Sequence, residues 1–430
     1  MKILCTADVH IGRRPSRLPA HVDGRALSCG EAWGRVVDVA IGEQVDLVAV
    51  SGDLVDAANR FYEAAGPVEQ GLRRLAQAGI MTVMVAGNHD HHSLPWLLQG
   101  MDPNSVRLLG ANGAWERFTL QRNGETLHVD GWSFPDAAVH TSPLASYPFA
   151  AEGAAVLGLL HADLDQPASR YAPVSLAELR PRAPALWLLG HVHAPRLLEE
   201  VGSASVLYPG SPQAMDPGES GAHGVWIAEI GPGRTASCRM VPLSNVRYES
   251  VAVNVAGVTD AAEADHRLVE TVRARLREVT ESASCVRYLS CRVTVTGRTS
   301  LHLDGDRLRE LCVDLNLTSG ETAAFVERVE VRTAPERDLA ALAGGKDAPA
   351  ILARLLAALE DTGPGHEYDP LLRDAERRVT DLWRAKPYLA LERDADDGGG
   401  ADGALDLATI LREQTGTLLD ELLAQKAVAE

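Results

Sequence analysis

The sequence predicts a mixed α/β fold of the α+β kind: a β-sandwich flanked by helices, then a small βαβαβ domain, then a helical tail. Three observations predict it. Apolar runs and helix-like stretches alternate over the first 90 residues, which is the texture of a βαβαβ start. Short strand-like segments dominate from Ser105 to Val241, and a second alternation of strand and helix begins after Pro242.

Taken in order, a strand is expected at Lys2 to Ala7, a helix near Glu31 to Glu43, and a strand at Asp46 to Val50. A helix near Glu63 to Ala78 and a strand at Met81 to Ala86 follow. WERFTLQ and TLHVDGW flank Arg122 to Glu125 and read as a hairpin. Beyond Pro242, YESVAVNV, VRYLSCRVTVTG and FVERVEVRT read as strands, with helices at Ala261 to Val279 and Gly305 to Leu315 between them. Residues from about Asp338 to Leu391 look helical, and DADDGGGADGA at Asp394 to Ala404 reads as a flexible acidic linker. The chain closes on a helix with Leu407, Leu411, Leu418 and Leu422 along one face. The expected domains are therefore 1–245, 246–336 and 337–430.

At 430 residues the chain exceeds what one hydrophobic core organises. Its 46% apolar content suits a globular protein, and it contains no run of 18 apolar residues and no signal-peptide pattern. A soluble, cytoplasmic protein without a membrane span is expected. Cys5, Cys29, Cys238, Cys285, Cys291 and Cys312 are scattered, with no CxxC pair, and are expected to be reduced. The formal charge of −18 splits into −7 over residues 1–245 and −11 over 246–430, which argues against tight nonspecific DNA binding by this chain alone. Cations in a cleft would reverse that sign locally.

Five segments carry the chemistry: ADVH (Ala7 to His10), SGDLVD (Ser51 to Asp56), GNHD (Gly87 to Asp90), LLHAD (Leu159 to Asp163) and GHVH (Gly190 to His193). Each follows an apolar run, so their Asp, Asn and His residues would gather at strand ends along one edge of a sheet. In DxH and HxH, alternate strand residues point the same way, which lets Asp8 and His10, or His191 and His193, grip one ion from one side. Oxygen and imidazole donors without thiolate suit Mn(II), Fe or Zn, with Mn(II) the first choice. A bridging carboxylate is required if two ions are to clamp a phosphoryl group, and Asp53 is the best placed. Gly52, Gly87 and Gly190 are expected to permit sharp backbone departures there.

The ordered set DxH, GDxxD, GNHD, H, GHxH resembles the calcineurin-like metallophosphoesterases. TADVHIG, SGDLVDAANR, VAGNHD, GHVHAP and LYPGSPQAMDPGE are similar to the SbcD-type DNA repair exonucleases, including their YhaO-like branch. The resemblance covers about Met1 to Ile230. It implies a calcineurin-like sandwich holding two divalent metal ions, one on Asp8, His10, Asp53 and His193, the other on Asp53, Asn88, His161 and His191. His89, free of metal, would protonate the leaving oxygen, and Asp90 would orient it. The implied activity is a DNA nuclease, 3′ to 5′ exonuclease with some single-strand endonuclease activity, working with an SMC-like, SbcC-type ATPase.

Other features keep two readings each. Arg13, Arg14, Arg17 and Arg25 in GRRPSRLPAHVDGR, with Arg60, would contact a DNA phosphate backbone, or they line solvated loops. His91 and His92 face substrate or an exposed turn. The terminal Leu face packs or self-associates into a homodimer, or docks on the ATPase, whose phosphate loop this chain lacks. The alternative function is a phosphodiesterase or phosphatase acting on small nucleotides or phosphoproteins.

Overall fold

The computed structural model describes residues 1–430 except 20, 151–152, 200–203, 232–235, 315–316, 361–369, 371–372, 376, 379–380, 382–406 and 430. The first strands are β1 (Lys2–Thr6), β2 (Leu47–Ser51), β3 (Met81–Val85) and β4 (Val106–Leu108), separated by helices α1 (Cys29–Gly42), α2 (Ala57–Gln77) and α3 (Ser93–Leu97). The hairpin β5 (Glu116–Arg122) and β6 (Glu125–Trp132) follows, then β7 (Ala155–His161), α4 (Leu176–Leu179), β8 (Leu186–Gly190), β9 (Arg196–Leu198), β10 (Ser205–Tyr208), β11 (Gly224–Ile230) and β12 (Ala236–Pro242).

These strands form two six-stranded sheets, ordered β12-β11-β1-β2-β3-β4 and β5-β6-β7-β8-β10-β9. Period-two alternation explains how they pack. In β2, Leu47 and Ala49 enter the layer between the sheets, against Leu157, Leu159, Leu186 and Leu188. Val48 and Val50 point the other way, onto Trp33, Val36 and Val37 of α1 and Val68 and Leu72 of α2. The expected sandwich with helices outside is thus present.

Local chemistry accounts for the element ends. Ser28 caps α1 by accepting from Glu31 N, so the helix begins at Cys29, ahead of the expected Glu31. α2 begins at Ala57 rather than near Glu63, with no side-chain cap from Asp56, and it carries Pro67 within it. The β5–β6 turn places Asn123 and Gly124 both at positive φ, 52° and 79°, the pair a tight two-residue hairpin turn requires.

Beyond Pro242 come β13 (Val246–Asn254), α5 (Ala261–Ser282), β14 (Tyr288–Arg298), α6 (Gly305–Asp314), β15 (Thr318–Ser319) and β16 (Thr322–Ala334), in a sheet ordered β13-β14-β16-β15. The expected βαβαβ unit gains a short strand, because Ser319 pairs with Thr322 across a turn at Gly320, φ 57°. Two helices follow, α7 (Leu339–Ala343) and α8 (Ala348–Glu360), and a terminal helix spans Leu407–Ala429. The acidic linker at 394–404 lies outside the described residues.

By proximity the chain groups into two compact units. One joins Met1–Val253 with Asp265–Val295 and Leu303–Val331; the other joins Asn254–Ala264, Thr296–His302 and Arg332–Glu430. Within the first unit, Tyr248 OH donates to Ser16 O (2.6 Å) and Asn245 Nδ2 to Cys285 O (2.8 Å), which ties the start of β13 to its surroundings.

In the second unit the terminal helix rests on α8 through Leu419, which packs with Ala353 and Leu356. This departs from the expected Leu face: Leu418 is 46% exposed, whereas Thr415 and Leu419 are buried. Arg337 donates to Gly416 O (3.0 Å) and Arg298 pairs with Asp420, which fixes the helix's rotation. No helix among the described residues is long and apolar enough to cross a membrane.

Candidate metal centre

β1, β2 and β3 run parallel, as do β7 and β8, so the five motif segments emerge along one edge. There the two sheets are held together by Ser51, whose Oγ lies 2.8 Å from Leu160 O and 2.7 Å from Leu188 O. Four of the predicted metal ligands have positive φ: Asp8 (51°), His10 (51°), Asp53 (52°) and His191 (93°). Such left-handed turns in non-glycine residues cost free energy and aim side chains that a continuing strand would point elsewhere. Gly52 needs its φ of 87°, but Gly87 and Gly190 serve a different purpose from the expected one. A Cβ on Gly87 would meet Asp53 Oδ1 at 2.2 Å, and one on Gly190 would meet Ser51 O at 1.9 Å, so these two glycines provide room.

Asp8, His10 and His193 bring ligand atoms within 4.8 Å of one another, and so do Asp8, Asp53 and His161, and His10, Asp53 and His89. His10 Nε2 stands 3.1 Å from His193 Nε2 and 3.8 Å from Asp53 Oδ2. His161 Nε2 stands 3.3 Å from Asp53 Oδ2 and 3.0 Å from Asn88 Oδ1. Asp53 Oδ2 therefore lies between the His10 and His161 rings, and Asp8 is common to the first two groups. His191 stands at the border of the cluster: its ring lies 5.4 Å from that of His161, its Nε2 is 3.5 Å from Asp163 Oδ1, and its ring packs on Tyr171, centroids 4.4 Å apart.

The donors fit divalent cations. Asp8 and Asp53 are buried, and among the described residues their ion-pair partners are imidazoles, with no Lys or Arg. Burial raises Asp8 to about 6. Asp53 would rise by burial too, but the neighbouring His161 outweighs this and depresses it. Burial holds His10 near about 3 and His191 near about 4, so both rings are neutral and available as ligands. His161 goes the other way, to about 9, because Asp53 overcomes the burial that would lower it. Carboxylates, an amide oxygen and imidazoles without thiolate make a site for a borderline divalent metal.

His89 stands beside these groups. Its ring meets that of His10 edge-on at 4.9 Å, and its amide N donates to Asp53 Oδ1 at 2.9 Å. Asp90 does not orient it. That fully buried carboxylate accepts from the backbone amides of Leu54 (2.7 Å), Val55 (3.4 Å) and Gly87 (2.7 Å), so it ties the GDLVD and GNHD loops together. The carboxylate facing His89 is Asp56, with Oδ1 3.4 Å from Nδ1. Asp56 lay within the SGDLVD motif and its spacing gave no sign of this partner. His91 Nδ1 turns back to Asn88 O at 3.1 Å.

The arginines divide. Arg13 Nε lies 3.6 Å from Asp56 Oδ2, beside the centre, and Arg17 Nε lies 3.9 Å from Glu327 Oε1 while 70% exposed. Arg14 is exposed; Arg60 sits in α2 with its side chain outside the described ones. Two further acids escaped the sequence reading: Asp163 against His191, and Glu219, whose Oε1 is 2.7 Å from His193 Nδ1.

Residues 1–195 match the family of calcineurin-like phosphoesterases. This segment belongs to that family. Downstream of the phosphoesterase segment, residues 248–334 match the middle domain of metallophosphoesterase YhaO. The chain is 28% identical over 277 residues to an uncharacterised metallophosphoesterase YhaO of Bacillus subtilis, covering 64% of this chain and 67% of that one. Over 89 residues it is 34% identical to the DNA double-strand break repair protein Mre11 of Sulfurisphaera tokodaii, covering 21% of this chain and 22% of that relative. The phosphoesterase fold is also similar to a solved dimetal phosphatase from Danio rerio, with TM-score 0.36, 14% identity and coverage of 56% of this chain and 98% of that one. Residues 1–195 thus match a phosphoesterase family, and their clustered acid and histidine side chains suit divalent metal ions.

Proposed function

We propose that this metallophosphoesterase is a Mn(II)-dependent DNA nuclease, a 3′ to 5′ exonuclease with single-strand endonuclease activity in DNA end processing. The observation that carries the catalytic part is Asp53, placed between His10 and His161 with His89 at its edge. The likeness of one stretch to a protein named for DNA double-strand break repair supports the choice of DNA.

Asp8, His10, Asp53 and His193 would hold one ion, and Asp53, Asn88 and His161, joined by a rotated His191, the other. Two such ions would supply Lewis-acid activation of the phosphodiester and of the attacking water. The chain's own residues do the rest. His89 presents Nε2 to the departing sugar oxygen and gives it a proton, since Asp56 faces Nδ1. Asp56 also holds Arg13, which brings a guanidinium beside the reacting phosphate. Arg14, Arg17 and Arg60 would contact the DNA backbone farther out.

An SMC-like, SbcC-type ATPase is the proposed partner, docking on the exposed side of the terminal helix at Ile410 and Leu418. A homodimer and a cytoplasmic location belong to the same reading. The second reading, hydrolysis of small nucleotides or phosphoproteins, is favoured by the charge of −18, which repels a polyanion. The deciding assay gives the purified chain Mn(II), Mg(II) or Zn(II) with labelled single- and double-stranded DNA and bis-p-nitrophenyl phosphate. Cleavage of DNA supports the nuclease, and cleavage of the small diester alone, even with candidate ATPases added, supports the second reading.

A further inference from the structure

We infer that Glu219 is the positioning residue of His193: it fixes which ring nitrogen faces the metal centre and so sets the affinity for one of the two ions. The inference rests on the two-ion reading above.

The geometry is specific. Glu219 Oε1 lies 2.7 Å from His193 Nδ1, while His193 Nε2 points to His10 Nε2, 3.1 Å away in the ligand cluster. An imidazole whose Nδ1–H is engaged by a carboxylate leaves Nε2 as the free lone pair, oriented and more basic. Glu219 is itself held: its Oε2 accepts from Met215 N (2.8 Å) and Ser211 Oγ (3.1 Å), and its own amide donates to Asp216 O (2.8 Å). The carboxylate is thus fixed from both oxygens.

The same loop grips the His193 backbone. Ser211 N donates to His193 O at 3.0 Å. Gly210, at φ 72°, leaves room where a Cβ would meet His193 O at 2.4 Å. β13 closes the far side of the loop, because Tyr248 pairs with Ser220 and its carbonyl accepts from Gly221 N at 3.0 Å. A structural tie would need only one of these contacts. Backbone and side chain of one metal-facing histidine gripped by one eleven-residue stretch, 209–219, is what orienting a ligand requires.

The test is an equilibrium Mn(II) titration of the full chain, reading the free-ion resonance, alongside the melting of the metal-free protein. Glu219→Ala should weaken one ion of the two by about 10- to 100-fold and leave the other unchanged. Glu219→Gln, which keeps the shape and a neutral acceptor, should weaken it less. In a His193→Ala background, Glu219→Ala should add nothing, because its effect passes through that ring. Wild-type Mn(II) affinity in Glu219→Ala, or an equal loss with and without His193, overturns the assignment. Absence of any bound Mn(II) in the wild-type chain overturns the two-ion reading itself and takes this inference with it.

Discussion

Asp56 Oδ1 lies 3.4 Å from His89 Nδ1, and its Oδ2 lies 3.6 Å from Arg13 Nε, so one buried carboxylate organises both cationic groups at the edge of the metal centre. The hydrogen bond from His89 to Asp56 outweighs partial burial and raises the His89 pKa above its ordinary value.

That raised value has a kinetic consequence. As the proposed acid His89 would donate only while protonated, so activity should fall as pH rises through its pKa. Asp56→Asn removes the group that raises it, and the alkaline limb of the kcat/KM profile should move to lower pH. An unmoved limb, measured on bis-p-nitrophenyl phosphate with Mn(II), would mean that His89 is not the acid.

His89→Asn should keep both ions yet lose hydrolysis by about 100-fold or more, the usual contribution of a positioned acid. Metal analysis and turnover on the same sample check this. An active, metal-loaded variant rejects the role.

Asp90 acts on the scaffold instead. Asp90→Ala would leave the amides of Leu54 and Gly87 without their acceptor, at a cost of about 1–3 kcal/mol for each buried group. Urea unfolding of the metal-free protein should register this loss before any substrate is added.

The arginines should separate by substrate. Arg17→Glu should weaken DNA binding and flatten its salt dependence while sparing a small diester. Arg13→Glu should harm both substrates, since Arg13 pairs with Asp56. Filter binding across a salt series, with turnover on bis-p-nitrophenyl phosphate, distinguishes the two.

On the terminal helix, Leu419→Asp should undo the packing on α8 and lower the melting temperature. Leu418→Asp lies on the exposed side and should leave melting unchanged while abolishing co-purification with an SMC-like ATPase. Retained co-purification would remove that surface from consideration.

The sandwich and the edge where the motifs gather were legible because continuous apolar runs and short acid and histidine motifs are local signals. The runs in β2 and β7 announce both the strand and the place where it ends. What the sequence hid was pairing at a distance. Glu219 stands 26 positions from His193, and nothing local in MDPGE says which imidazole it faces. Asp56 and Asp90 are both acids next to ligand residues, and only the fold turns one toward His89 and the other toward backbone amides. The terminal helix was misjudged for a related reason: its leucines occupy several faces, and the buried side is chosen by α8, through Ala353 and Leu356.

Ser51 has a consequence beyond the pocket. Its hydroxyl spans the seam between the two layers where Asp8 and Asp53 approach from one layer and His161 from the other. A cation gripped from both sides would act as a rivet through that seam. Chelation would then be felt as loosened breathing of the whole sandwich, visible as faster amide exchange even at the starts of β2 and β7, the ends away from Asp53 and His161.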